Sequence, residues 1–403
     1  MPGREHARRL TRIVGYDDAR ERARRRLPRA LFEYVDGGAE DEVTMRANVS
    51  AFRELTFRPR LGIFNPEPTL STTVLGVPVS IPVLTAPCGG ARLVHPQGDI
   101  GIASAAARAG TIPVVASSAC FTLEEIASRS HEGPKWFQLY RFMNPDTMRS
   151  LATRADAAGY EALVVTMDTV ATGHREKDIR NGFSYNLRPS LRSAARMLPR
   201  LGARPGWLWQ YARDGMPFEI PNTAAHGYKS LRLTAMGRVT AESQSPTWED
   251  ISWLRDAWKK SLLIKGVLTA EDALRAVDAG ADAIIVSNHG GRQLEGAPAT
   301  MHALPEIACA VGDRAEILLD SGIRRGNDVL KALALGAKAV LIGRMSMYGL
   351  AAGGEAGVQW MLEILRSDIY RSMRLMGLGS VAEIDHSWID GFQPKGGRQA
   401  GLA

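Results

Sequence analysis

The run Val286-Ser287-Asn288-His289-Gly290-Gly291-Arg292-Gln293-Leu294-Glu295 sets an imidazole and a guanidinium three positions apart in a loop opened by two glycines. Imidazole titrates near neutral pH, so it can take a proton from a reacting group. A guanidinium offers a planar fork of donors that matches a carboxylate. Gly290 and Gly291 allow the backbone to approach a flat ligand closely. Together these residues suit proton abstraction next to a bound carboxylate.

An apolar run, Ala283 to Val286, delivers that loop, and similar runs recur along the chain. The spacing predicts eight strands: Ile81–Thr85, Ile112–Ala116, Lys135–Leu139, Ala162–Thr166, Leu262–Lys265, Ala283–Ser287, Glu316–Asp320 and Ala339–Gly343. Between most of them lie Ala-, Leu- and Arg-rich stretches at helical period, including Ile100–Ala109, Thr122–Ser128 and Ala270–Ala279. Continuous apolar strands separated by helices imply a parallel sheet covered on its outer side. Eight such units imply a closed (β/α)₈ barrel of the TIM type. The alternative is an open doubly wound sheet, but no Gly-x-Gly-x-x-Gly follows the first strand. Strand after strand ends in polar or glycine-rich chemistry: Pro87-Cys88-Gly89, Ser117-Ser118, Gln138 and Tyr140, Thr166 and Asp168, Lys265, Ser287 and His289, Asp320, Gly343-Arg344. A barrel gathers all of these ends on one rim.

The chain has 403 residues, 45% hydrophobic and 23% charged, as expected of a soluble globular enzyme. A net charge of +7 fits anionic substrates and phosphates. With no nucleic-acid motif, zinc spacing or Lys-rich tail, neither nucleic acid nor a metal is expected as a partner. Cys88, Cys120 and Cys309 are odd in number and widely spaced, which implies no disulfide framework and suggests the cytoplasm. The segment Met1 to Arg26 has no apolar h-region, and no apolar run reaches the ~18 residues of a spanning helix.

Two regions fall outside the expected barrel of residues 80–390. Residues 1–79 read as an extension of helices, Asp17–Leu27 and Pro28–Gly37, plus a short β segment, Leu75–Val79, packing on the barrel. Residues 184–246 form a long insertion after the fourth strand, rich in Arg, Pro and Gly, with an aromatic Gly206-Trp207-Leu208-Trp209 stretch. A connection this long reads as a lid or loop. Arg192, Arg196 and Arg200 beside Leu191, Met197, Leu198 and Leu201 also suit a membrane or partner surface, peripheral at the inner face of the membrane. Residues 391–403 read as a tail.

The histidine run closely resembles the active-site signature of the FMN-dependent 2-hydroxyacid oxidase and dehydrogenase family, which includes glycolate oxidase, lactate oxidase, lactate monooxygenase and mandelate dehydrogenase. The resemblance spans roughly residues 17–390. It includes Lys265-Gly266-Val267-Leu268-Thr269-Ala270-Glu271-Asp272-Ala273, Leu319-Asp320-Ser321-Gly322-Ile323-Arg324-Arg325-Gly326, and Ala332 through Arg344. It implies FMN as cofactor and oxidation of an (S)-2-hydroxyacid to the 2-oxoacid. His289 would abstract a proton, with electrons passing to flavin N5 and then to oxygen, a quinone or another protein. Asp168 would pair with the histidine. Arg292, Arg175 and Tyr34 would hold the substrate carboxylate, and Tyr140 the substrate hydroxyl. Lys265 would sit beside the flavin N1–C2=O edge, where negative charge collects on reduction. Gln138, Thr166, Pro87, Cys88, Gly89, Ser117 and Ser287 would line the ring, and Asp320 would take a ribityl hydroxyl. Gly322, Arg324, Gly343 and Arg344 would hold the phosphate after strands seven and eight. The resemblance also implies a homotetramer, and membrane attachment through the insertion as in mandelate dehydrogenase.

Some residues depart from the pattern. Ser118 stands where glycolate oxidase-like members carry a bulky aromatic, which implies a wider substrate pocket. Gly89 stands where several oxidases carry alanine. It is similar to mandelate dehydrogenase and lactate monooxygenase and points away from fast oxidase turnover. Thr247-Trp248-Glu249-Asp250-Ile251-Ser252-Trp253-Leu254 and the Trp-Leu-Trp stretch look like the flavoprotein of mycofactocin biosynthesis. That gives a second functional reading, oxidation of a peptide- or amine-type substrate. The intact Arg292-Gln293 favours a carboxylate substrate.

Overall fold

Eight short apolar segments pair side by side in parallel in the computed structural model, which describes residues 10–141, 145–181, 204–215, 219–223, 231–232 and 245–391. They are β1 (Val83–Thr85), β2 (Val114–Ala116), β3 (Trp136–Leu139), β4 (Ala162–Thr166), β5 (Ser261–Val267), β6 (Ala283–Val286), β7 (Glu316–Leu319) and β8 (Ala339–Ile342). Around the sheet the order is β1-β8-β7-β6-β5-β4-β3-β2. A parallel bridge between Thr85 and Pro113 joins its two ends and closes the barrel. Each expected strand appears within two residues of its expected bounds.

Strand side chains alternate between two apolar environments, which is why the runs are continuous rather than alternating. Leu84, Val114, Trp136, Val164, Leu263, Ile285, Leu318 and Leu341 fill the barrel interior. Val115, Phe137, Val165, Ile264, Ile284, Leu319 and Val340 belong to the larger core shared with the outer helices. The short β segment expected at Leu75–Val79 is instead a hairpin, Thr72–Val74 against Val77–Val79. Leu75 and Gly76 form its turn at positive φ, as a two-residue hairpin loop demands. Val74 and Val79 pack onto the interior cluster, and Leu75 N–H donates to Glu316 at the start of β7. The hairpin therefore covers the N-terminal mouth and leaves the other mouth for chemistry.

Helices Tyr16–Arg26, Arg29–Asp36 and Val43–Glu54 make up the N-terminal extension. Tyr16 and Phe32 pack their rings on Tyr348, in the long helix Arg344–Met376 that follows β8. Asp36 accepts a bidentate pair from Arg20 and a hydrogen bond from the Tyr348 hydroxyl. Helix Val43–Glu54 reaches the rim: Asn48 and Asn288 exchange side-chain hydrogen bonds at 2.8 and 2.7 Å. A Cβ on Gly322 would lie 2.2 Å from the Asn48 carbonyl oxygen, and its φ is +97°. Gly322→Ala is therefore expected to destabilise the fold by more than the ~1–3 kcal/mol of backbone strain alone. The measurement is a lowered denaturation midpoint.

Only parts of the 184–246 insertion lie among the described residues. Helix Pro205–Asp214 buries Trp207, whose indole N–H donates to the Leu93 carbonyl, and leaves Trp209 70% exposed. The Asn222 side chain bonds Phe121 and Leu123. Trp207 and Asn222 thus tie their pieces of the insertion down beside β1 and β2, and Ser245 ties its end to the Met167 carbonyl after β4. The Arg192/Arg196/Arg200 stripe and residues 392–403 lie outside the described residues.

Candidate active site

The loop after β6 turns through three consecutive left-handed residues: His289 at φ +58°, Gly290 at +69° and Gly291 at +70°. Two glycines make that geometry affordable, and the one non-glycine is the histidine itself. A Cβ on Gly291 would lie 2.6 Å from the Met45 backbone, so the glycine also admits the N-terminal extension to the rim. Asn288 then locks the turn by accepting the Gly291 N–H and donating to the Pro298 carbonyl.

His289 Nδ1 lies 3.0 Å from Asp168 Oδ1. Burial of the Asp168 carboxyl works against ionisation, yet His289 and Lys265 together hold it below the usual carboxylate range. An ionised carboxylate only accepts, so Nδ1 carries the hydrogen, and the lone pair of the neutral ring is at Nε2. The stability Asp168 gains from these partners is present above the ordinary Asp range and is lost as pH falls through its lower folded value. Asp168 owes its position to a bulge in β5, where Gly266 has φ +105° and a Cβ would lie 2.6 Å from the aspartate side chain.

Lys265 is buried at the same end of β5. Its Nζ is 2.9 Å from Asp320 Oδ2 and donates to Ser287 Oγ at 2.7 Å. Desolvation disfavours its charge, but Asp320 and Asp168 outweigh this and raise its pKa. Burial pushes the Cys88 thiol up to about 11, so it stays protonated at neutral pH and is no nucleophile.

Arg292 Nη1 donates to the carbonyls of Tyr34 and Gly37, and the guanidinium sits 5.2 Å from the Tyr34 ring centre. Desolvation and the neighbouring Arg175 lower its pKa, but a guanidinium keeps its charge. Arg175 Nε is 3.7 Å from Asp178 Oδ2. Burial raises the Asp178 pKa, while both arginines oppose the rise. Two crowded cations facing one cavity favour an anion between them.

A single cavity at the C-terminal mouth is lined by His289, Arg292, Arg175, Tyr34, Tyr140, Pro87, Cys88, Gly89, Thr166, Lys265, Asp320, Gly322, Arg324, Gly343 and Arg344. Its space, open mouth included, is about 1730 Å³. Four expected residues stand behind the wall. Asp168 backs His289. Ser287 bridges Lys265 and the His289 N–H. Gln138 donates to Thr166 at 3.1 Å and accepts from Ser117. Two arginines differ from simple expectation. Arg344 is engaged with the carbonyls of Asp36, Gly37 and Gly290, and Arg324 stacks 4.2 Å over Tyr16. The two departures also meet: a Cβ on Gly89 would lie 2.5 Å from Ser118 Oγ. Reading the sequence did not single out Asn48, Asp178 or Arg141. Asn48 supports the site through a contact 240 residues away, Asp178 through its pairing with Arg175 three residues before it, and Arg141 lines the cavity.

A base held by a carboxylate, two cations for an acid group and a buried lysine in a parallel barrel define an oxidoreductase site with room for a flat ring. The FMN-dependent dehydrogenase family model matches residues 23–391, and the chain belongs to that family. FMN is its cofactor, and it is an FMN-dependent 2-hydroxyacid dehydrogenase or oxidase by class. It is 42% identical to an L-lactate dehydrogenase of Caulobacter vibrioides (strain NA1000 / CB15N) over 94% of this chain and 98% of that protein. It is also 42% identical to a pre-mycofactocin synthase of Mycobacterium tuberculosis (strain CDC 1551 / Oshkosh) over 94% of each. Among solved structures, a monotopic membrane protein, (S)-mandelate dehydrogenase, superposes with a TM-score of 0.88 at 36% identity, covering 94% of this chain and 99% of that one. The cavity's polar set fits FMN: the buried Lys265 with its Asp320 carboxylate, the Thr166 hydroxyl at β4 backed by the Gln138 amide from β3, and glycines and arginines after β7 and β8.

Proposed function

We propose that the enzyme oxidises an (S)-2-hydroxyacid to the 2-oxoacid, with the substrate carboxylate held between Arg292 and Arg175. FMN supplies the two-electron acceptor when bound. Tyr34 donates to the same carboxylate and Tyr140 contacts the substrate hydroxyl. His289 takes a proton at Nε2, and Asp168 stabilises the resulting imidazolium. Lys265 would place its cation at the N1 edge of the ring, where charge collects on reduction. Pro87, Cys88, Gly89, Thr166 and Asp320 would flank the cofactor, Gln138, Ser117 and Ser287 would brace that wall, and Gly322, Arg324, Gly343 and Arg344 would take its phosphate. The observation that carries this reading is the His289–Asp168 contact at 3.0 Å beside two arginines lining the same cavity. It is tested by an anaerobic spectral screen: a small hydroxyacid such as lactate, mandelate or glycolate is expected to bleach the flavin colour. Silence toward every small hydroxyacid favours the second reading, a peptide- or amine-type substrate, which the 42% identity to a pre-mycofactocin synthase supports.

Lys265→Met is expected to lower the reduction potential of bound FMN and slow its reduction by roughly 10²-fold, because a cation is lost where charge develops. An equilibrium redox titration checks it, and an unchanged potential contradicts the placement at N1.

We infer a homo-oligomer and a cytoplasmic enzyme that contacts the inner membrane face peripherally through residues 184–246. The likeness to a monotopic membrane protein supports the contact. Among the described residues no helix is long and apolar enough to cross a membrane.

A further inference from the structure

Arg141 is a cation of the cavity wall that the chemistry above leaves unused. It follows Tyr140 beyond the end of β3 and lines the cavity that holds His289 and Arg175. Its Nη1 lies 3.0 Å from Asp250 Oδ2, with side chains 14% and 6% exposed. Asp250 is anchored independently, near the start of helix Trp248–Ala257. Its Oδ2 accepts the Thr247 N–H at 2.8 Å, and its Oδ1 accepts the Trp253 indole N–H at 3.1 Å. The carboxylate thus pins one edge of the guanidinium against a capped helix start, and a guanidinium carries five N–H donors in a fixed fork.

Topology separates Arg141 from the phosphate end. β3 lies between β2 and β4, across the barrel from β7 and β8, whose loops carry Gly322, Arg324, Gly343 and Arg344. A purely structural role is a poor account of it, since a buried ion pair is matched or bettered in stability by well-packed apolar residues. The cavity wall from the neighbouring strand ends is small or polar: Ser118 after β2, and Thr169, Ala171 and Thr172 after β4. Small side chains leave volume for a substrate substituent, and Arg141 stands on that wall.

We propose that Arg141, braced by Asp250, is a distal subsite selecting a 2-hydroxyacid whose side chain ends in a carboxylate or comparable anion. The inference rests on the hydroxyacid reading and assigns the substituent's acid group to Arg141 and the hydroxyacid carboxylate to Arg175 and Arg292. A hydrocarbon tail in the same place would desolvate the guanidinium without replacing its lost water contacts. The residue therefore rejects apolar tails as well as accepting anionic ones.

The test uses the FMN-loaded enzyme and compares anaerobic bleaching by (S)-2-hydroxyglutarate with bleaching by (S)-2-hydroxypentanoate, which has a neutral tail. The unsubstituted enzyme is expected to favour the diacid by about 10-fold or more in kcat/KM. Arg141→Gln is expected to cut the diacid's kcat/KM by roughly 10–100-fold and to change that of the neutral acid by less than about 3-fold. Because Arg141→Gln strands a buried carboxylate, the double variant Arg141→Gln/Asp250→Asn removes both charges, and the same selective loss is expected there. If the neutral acid bleaches the flavin and the preference ratio is unchanged in the Arg141 variants, the subsite is wrong and the hydroxyacid reading stands. If no small hydroxyacid bleaches it, both are wrong.

Discussion

Replacing His289 with alanine is expected to slow substrate-driven bleaching of bound FMN by at least ~10²-fold while the protein still copurifies with the cofactor. The size follows from the role. The imidazole is held by Asp168 through Nδ1 at 3.0 Å, which leaves Nε2 as the basic atom at the cavity wall. Alanine removes the base without touching Lys265, Asp320 or the arginines, so cofactor retention and substrate affinity should persist. Stopped-flow reduction under saturating substrate separates the two effects: the limiting rate falls and the half-saturation concentration moves little. Full-rate bleaching in the variant would refute the assignment.

Asp168→Asn is expected to cost a comparable ~10²-fold in the limiting rate, with KM changed by less than about 3-fold, for a different reason. The carboxylate stays ionised at neutral pH because His289 and Lys265 outweigh its burial. An asparagine of the same shape brings no charge to stabilise the imidazolium, and its amide N–H can donate to Nδ1 and move the ring proton to Nε2. The ring would then sit correctly in the wrong tautomer. A pH profile distinguishes this from misfolding: with tautomer and charge at fault, FMN binding is unchanged and only the proton-transfer limb is depressed. A variant that keeps its rate would show that the aspartate does no more than fix a loop.

The parts of this site that were legible in the sequence are those carried by local strings. The continuous apolar runs gave eight strands, because a parallel barrel buries both faces of each strand. The ends of those runs then named most of the cavity wall, including His289, Lys265 and Arg292, because a barrel brings strand ends together. What the sequence did not reveal depends on pairings remote along the chain. The Asn48–Asn288 exchange joins residues 240 apart, and neither asparagine carries a periodic signal. Nor could the sequence foretell that Arg344 would bind the carbonyls of Asp36, Gly37 and Gly290, since a guanidinium takes whichever acceptors the fold presents. The Leu75–Gly76 turn was missed for a local reason. A leucine at φ +49° is not a usual turn signal, and the segment read from the sequence, Leu75–Val79, begins inside the turn and takes in only the second strand.

In the proposed function, one imidazole and two guanidinium groups act together on a single 2-hydroxyacid. The direct measurement is a crystal structure of the FMN-loaded enzyme with a bound 2-hydroxyacid or its 2-oxoacid product. The ligand's carboxylate is expected within hydrogen-bonding distance of both Arg175 and Arg292, and its hydroxyl- or keto-bearing carbon within about 3.5 Å of His289 Nε2. A ligand whose carboxylate meets neither arginine, or whose reacting carbon faces away from His289, would contradict it.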